Sequence, residues 1–243
     1  MASWRTSVAG GSTSGTGNRT VTITPAVGDL FIVCIAVAAN AQDAPTCADN
    51  NANGGSYYRI DVGNWLIVAV NYRISLFVRD YALINTTSTT ITGTTGSNTS
   101  GSIIVVAVSG MDRFGKDAIR QIGTQDNQTA GGTPAPIFPV AALTGNMCIG
   151  AIGNGTNPGG VTQPASWTSR HNVGFSNDAL GQVVATRDSG ETNSTITWGS
   201  TSASIFASIV AELDTSKSPG EYVGQNQQGQ TQPVREPDQV VSY

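Results

Sequence analysis

Two runs decide the fold: Leu30-Phe31-Ile32-Val33-Cys34-Ile35 and Ile103-Ile104-Val105-Val106-Ala107-Val108. Both are rich in β-branched side chains, too short for a typical buried helix, and flanked by Gly, Ser, Thr and Asn. An unbroken apolar run has no solvent face, so each reads as a central strand of a sheet or a strand covered by a partner. Around them lie alternating stretches such as Val21-Thr22-Ile23-Thr24 and Thr195-Ile196-Thr197-Trp198. There one face turns inward while Thr meets solvent or a second layer.

Strand signals recur along the whole chain. They predict strands at Arg19–Thr24, Asp29–Ala38, Ser56–Ile60, Trp65–Val70, Ile74–Asp80, Thr89–Thr92 and Ser102–Val108. A second set falls at Ile137–Val140, Met147–Ile152, Ser166–His171, Gly181–Arg187, Ser194–Trp198 and Ala203–Leu213. No stretch holds a helical apolar period. The best helical candidate is one turn near Phe114–Ile119, where strand or loop is the expectation.

Composition agrees. Charged residues make up 12% of the 243, about half the usual share of about 25%. Thr, Ser, Asn, Gln and Gly replace them, which suits strands and turns. The net charge is −4 with only two lysines, Lys116 and Lys217. Such a chain has no basic face to neutralise phosphates, so neither nucleic acid nor an anionic membrane is an expected partner. The chain opens Met-Ala-Ser-Trp-Arg without an apolar signal core, and synthesis in a cytoplasm is expected.

The two halves read alike: turn, long buried strand, variable middle, Thr-rich strand, apolar closing strand. Pro25-Ala26-Val27-Gly28-Asp29-Leu30 corresponds to the segment from Pro139 to Met147, and Thr89-Thr90-Ile91-Thr92-Gly93 to Thr195-Ile196-Thr197-Trp198-Gly199. The expectation is an all-β, two-sheet, jelly-roll-like sandwich over 1–215, built from halves at about 19–111 and 135–213 around a shared core. Two separate small sandwiches are the alternative.

Residues 216–243 differ in kind, with three prolines and runs such as Gln225-Asn226-Gln227-Gln228. Ordering so polar a segment costs about 1–2 kcal/mol per residue, on the order of 30 kcal/mol in all, which its own few apolar side chains do not offset. It is read as an extended arm that takes shape on another surface and reaches roughly 90 Å at about 3.3 Å per residue. Tyr222 and Val223 would be apolar anchors, Arg235 a charge-assisted donor, and Val240, Val241 and Tyr243 a terminal plug.

Chemistry-bearing motifs are few. Cys34 and Cys148 sit in apolar runs and, with Cys47, are read as buried free thiols. The one histidine, His171, has no nucleophile motif near it, and the carboxylates form no pair fit for glycoside hydrolysis. Six Asn-x-Ser/Thr triplets are what an Asn-, Ser- and Thr-rich chain produces by chance. Asp49-Asn50-Asn51-Ala52-Asn53-Gly54 resembles the start of a calcium loop, with Asp49, Asn51 and Asn53 as ligands. The closing glutamate is absent: Ile60 stands there, followed by Asp61. Beyond calcium no cofactor is expected.

The string Gln163-Pro164-Ala165-Ser166-Trp167-Thr168-Ser169-Arg170, then Gly181–Arg187 and Thr195-Ile196-Thr197-Trp198, resembles three strands of jelly-roll-like domains found in bacteriophage structural proteins. Gly28-Asp29-Leu30 and Ser56-Tyr57-Tyr58-Arg59 are similar to the same domains, and the likeness spans Arg19 to Leu213. Ser166 departs from it, standing where glycine is common. The resemblance implies a non-enzymatic virion protein: a capsid decoration or cement protein on the outside of a phage shell. Its partners would be the major capsid protein and copies of itself. A fibre or carbohydrate-binding, receptor-binding module is the alternative. Trp65, Trp167 and Trp198 are read as core fillers rather than sugar platforms.

Overall fold

The structure, a computed structural model, describes residues 1–12, 17–39, 45–51, 55–67, 70–94, 100–127, 132–154, 161–175, 180–199 and 205–215. It is all-β, with thirteen strands among the described residues, in two antiparallel sheets. The first sheet holds β1 (Ser3–Ser12), β2 (Arg19–Ile23), β3 (Leu30–Ala39), β4 (Thr46–Asp49), β5 (Gly55–Ile67), β6 (Val70–Arg79), β7 (Thr89–Thr94) and β8 (Ser100–Ser109), in the order β1-β8-β3-β6-β5-β4-β7-β2. The second holds β9 (Ile119–Asn127), β10 (Cys148–Asn154), β11 (Thr168–Phe175), β12 (Leu180–Arg187) and β13 (Phe206–Leu213), in the order β11-β12-β10-β13-β9.

The apolar runs are central strands, and the pleat sends their two faces into different cores. From β3, Leu30, Ile32, Cys34 and Ala36 face the second sheet, whereas Phe31, Val33, Ile35 and Val37 face the inside of the first. β8 divides likewise, Ile104, Val106 and Val108 against Ile103, Val105 and Ala107. The first sheet curls until its outermost strands meet. A Cβ on Gly10 of β1 would lie 2.6 Å from the Thr20 carbonyl oxygen of β2, so only glycine allows this approach. Met147, Ile149, Ala151, Val184, Ala207 and Ile209 of the second half complete the core between the sheets. A third core, with Phe138, Trp167, Ile196, Trp198 and Phe206, lies on the far face of the second sheet.

Non-strand segments cover that third core, which corrects two expectations. Ile137–Val140 and Ser194–Trp198 are not strands: only an isolated bridge joins Ile137 to Thr195. Pro134, Pro136 and Pro139 supply no N–H to a ladder. Single bonds remain, from Phe138 N to Ser194 O at 2.8 Å, Ile196 N to Pro136 O at 3.0 Å and Trp198 N to Pro134 O at 2.8 Å. Ser56–Ile60 and Trp65–Val70 merge largely into one long strand, β5, hairpinned to β6. Between β8 and β9 lies one 3-10 turn, Gly115–Ala118, where strand or loop was expected.

Strand order recurs between the sheets: β1-β8-β3-β6-β5 in the first, β9-β13-β10-β12-β11 in the second. Register recurs with it. Ile32 faces Val78 and Val106, as Ile149 faces Thr186 and Ala211. The register shift between Trp4 and Thr6 against Val108 and Ala107 has its counterpart between Ile119 and Gln121 against Leu213 and Glu212. A second shift, Arg59 to Asp61 against Phe77 and Leu76, recurs as Ser169 to His171 against Ala185 and Val184. The matched strands start at Ser3 and Ile119, earlier than the expected 19 and 135.

Contacts between the sheets are reciprocal. β5 lies against β9 and β13, as β11 lies against β1 and β8; β6 meets β10 and β13, as β12 meets β3 and β8. Reciprocity of this kind marks an approximate twofold relation. Both sets of strands start and finish at the same ends. Trp4 Nε1, near the start of β1, donates to Arg187 O at the end of β12 over 3.2 Å. The approximate axis therefore runs along the strands and emerges at the end where β1 and β9 begin, here called the near end.

Candidate attachment end

The near-end connectors are fixed by buried charge. Arg79 ends β6 with its side chain fully buried, and its Nε donates to Asp49 Oδ2 at 2.7 Å while its Nη1 donates to Tyr81 O at 2.8 Å. One arginine thus neutralises a buried carboxylate and pins the following connector. Arg187 ends β12 in the matching place. It donates to Glu191 Oε2 at 2.8 Å, to Ser189 O at 3.0 Å and to Gly190 O at 2.6 Å. Burial alone would raise the Glu191 carboxyl; hydrogen bonds from Trp167 Nε1 and the Asn193 backbone, with the Arg187 charge, outweigh it and hold the pKa below the ordinary value.

The residues at the first shift in each half, Arg5 and Arg120, play a second matching role. Arg5 Nε donates to the buried Asp29 carboxylate at 2.8 Å, and Asp29 in turn accepts from Ala26 N at 2.7 Å. The turn across residues 26–29 is closed this way, with Gly28 at φ +85°. Arg120 Nη1 pairs with the buried Glu212, which also accepts from Gln121, from Leu143 N at 2.9 Å and from Asn146 Nδ2 at 2.7 Å.

These rigid connectors carry apolar side chains into solvent. Val27, Tyr81 and Ile84 in the first half are 63 to 67% exposed, and Ile137, Val140 and Leu143 in the second are 44 to 60% exposed. Val27 and Ile84 each adjoin a bonded pair, Gly28 N donating to Leu83 O at 2.7 Å. Val140 is held through its own backbone, by bonds of 3.2 Å and 3.0 Å to the Gln121 amide. Met1 and Tyr58 are the other exposed large apolar residues among those described. Met1 precedes β1 and Tyr58 is the fourth residue of β5, so seven of the eight lie at or next to the near end, while Ile137 packs against Gly123 in the middle of β9. Between the halves a groove of about 550 Å³ is lined by Met1, Ala2, Thr144, Met147, Asp188 and Thr215, among others. Thr215, the last described residue, is tied to Asn146 Oδ1 and Gly145 O beside this groove.

The sequence-derived candidates fare unequally. Tyr222, Val223, Arg235, Val240, Val241 and Tyr243 lie outside the described residues, as does Asn53. The calcium reading gives way: Asp49 is already engaged by Arg79, by Tyr57 Oη at 2.8 Å and by Asn51 N at 2.9 Å. Asn51 donates to Asn85 and Thr89. Asp49 and Asn51 thus brace the β4–β5 connector against Arg79 and residues 85–89. Among the described residues no group of three His, Cys, Asp or Glu is placed to hold a metal.

Cys34 and Cys148 are buried, and burial pushes their thiols up, that of Cys148 to about 12. Burial and then Asp49 raise Cys47 as well. Trp167 and Trp198 pack in the third core with ring centroids 6.5 Å apart, as fillers do. The Trp65 side chain lies outside the described residues. His171 Nε2 has no hydrogen-bond partner among the described residues. Ser166 has φ +67°, in the left-handed region that favours glycine. Comparison of the chain with family models, curated proteins and solved structures finds no match.

Proposed function

We propose that this chain is a structural protein of a virus particle, a decoration or cement protein that sits on the outside of a phage shell. One observation carries the reading: seven of the eight exposed large apolar side chains among the described residues lie at or next to the end where Thr215, the last described residue, is held. Apolar side chains held out on rigid connectors cost solvation in the free chain and gain it back on docking. The arm then adds contacts to neighbouring subunits, through Tyr222, Val223, Arg235, Val240, Val241 and Tyr243. Many weak contacts on one tether sum to tight attachment.

The fold reading within this proposal is a jelly-roll-like sandwich built from two similar halves. Its support is the order of the first sheet: β1-β8-β3-β6 and β5-β4-β7-β2 are the two four-strand layers of that topology, laid end to end. The second half repeats one layer and replaces the other by its proline-rich cover. Co-sedimentation with purified shells of the virus that encodes the chain tests the function. Full-length protein should pellet with shells. Protein lacking 216–243 should fold normally and pellet far less, and equal pelleting of both would refute the role of the arm.

A further inference from the structure

We propose that the chain docks as a built-in dimer, its two halves gripping two copies of one shell subunit related by a local twofold axis. This deepens the attachment reading above and depends on it. The approximate axis relating the halves runs along the strands and leaves through the near end, so a partner met there sees two related faces. Each face presents the connector that leads into the central strand of its half, residues 24–29 before β3 and 139–147 before β10. Each connector is braced through the matching arginine, Arg5 by way of Asp29 and Arg120 by way of Glu212. Each also exposes apolar side chains: Val27 on one, Val140 and Leu143 on the other. Structural roles explain the braces but not apolar residues in solvent on both of the corresponding connectors.

The charge around them sets the partner's chemistry. Besides the ion-paired residues, the near-end connectors carry Asp80, Asp112, Asp117 and Asp188 against Lys116. The surface that fits is an apolar patch flanked by Lys or Arg, present twice about the axis. A single isolated patch would use one half and leave the other's apolar residues in water.

Binding to purified shells tests this with three variants: Val27→Asp with Ile84→Asp, Val140→Asp with Leu143→Asp, and all four together. Saturating wild-type protein should bind at one chain per two shell subunits. Each double variant should lose about 100-fold or more in apparent affinity, the loss expected when a bivalent contact becomes monovalent, and the quadruple variant should not bind. One chain per subunit at saturation overturns the inference, whatever the variants do. So does a pair of substitutions without effect while the other pair abolishes binding. In either case the attachment reading survives. Wild-type protein that ignores shells refutes that reading itself, and this inference with it.

Discussion

The buried pair Arg79–Asp49 is the most exacting test of how the near end is built. Both side chains are fully buried, and Arg79 also holds the Tyr81 carbonyl. Replacing Arg79 with Met leaves the Asp49 carboxylate in the interior with Tyr57 Oη and Asn51 N as its donors among the described residues. Removing one member of a buried pair costs about 3–5 kcal/mol, because the other charge stays uncompensated. For a chain of this size about 2–4 °C of Tm accompanies each kcal/mol, so Tm should fall by about 6–20 °C. Asp49→Leu should cost a similar amount. The double variant Arg79→Met with Asp49→Leu removes both charges and should be less destabilised than either single one. Urea unfolding followed by tryptophan fluorescence measures all three. Single substitutions costing under about 1 kcal/mol, the range of exposed pairs, would refute the reasoning. So would a double variant whose cost equals the sum.

Three further outcomes are expected. Ser166→Gly should stabilise the protein by about 0.5–1 kcal/mol in the same assay, since glycine relieves a left-handed backbone that serine adopts at a cost; a loss of stability would show that the Ser166 side chain matters more than its φ. Glu191 has a lowered folded-state pKa, so its contribution is complete above the unfolded carboxyl value of about 4.3. That contribution fades as pH drops through the folded value. Melting at a series of pH values should thus show a slope below pH 5 that Glu191→Gln reduces, and identical slopes would contradict the bonding described. Finally, a thiolate-selective reagent at pH 8 should label Cys34, Cys47 and Cys148 only after urea is added, because burial raises all three; rapid labelling of native protein would place a thiol at the surface.

Legibility of the fold followed burial. β3, β8, β10 and β13 were readable because both their faces are buried, which forces an apolar run. β1 and β9 were missed for the opposite reason: Ser3–Ser12 and Ile119–Asn127 are polar outer strands of their sheets, specified by pairing with β8 and β13 rather than by their own pattern. Thr46–Asp49 is too short to show a period. Ser194–Trp198 alternates as a strand should, yet its partner segment is proline-rich, and a strand needs a partner that can donate. Of the two correspondences read between the halves, the turns before β3 and β10 occupy matching places, whereas Thr89–Gly93 lies in β7, which has no counterpart among the matched strands, because register resides in pairing between strands far apart in the chain. The gathering of exposed apolar side chains at the near end was hardest to see. Val27, Ile84, Val140 and Leu143 are scattered through the sequence, and only the closing of the sheets gathers them at one end. Asp49 shows the converse: a motif read as ligands for an ion proved to be a brace for the chain itself.

Hydrogen–deuterium exchange of the full-length protein, free and bound to shells, addresses attachment through the near end most directly. Bound protein should gain protection in peptides covering residues 24–29, 80–88 and 137–146, with the strand ends around Ala39, Thr94 and Asn154 unchanged. Protection confined to that opposite end, with the connectors bearing Val27, Ile84 and Val140 still exchanging freely, would contradict it.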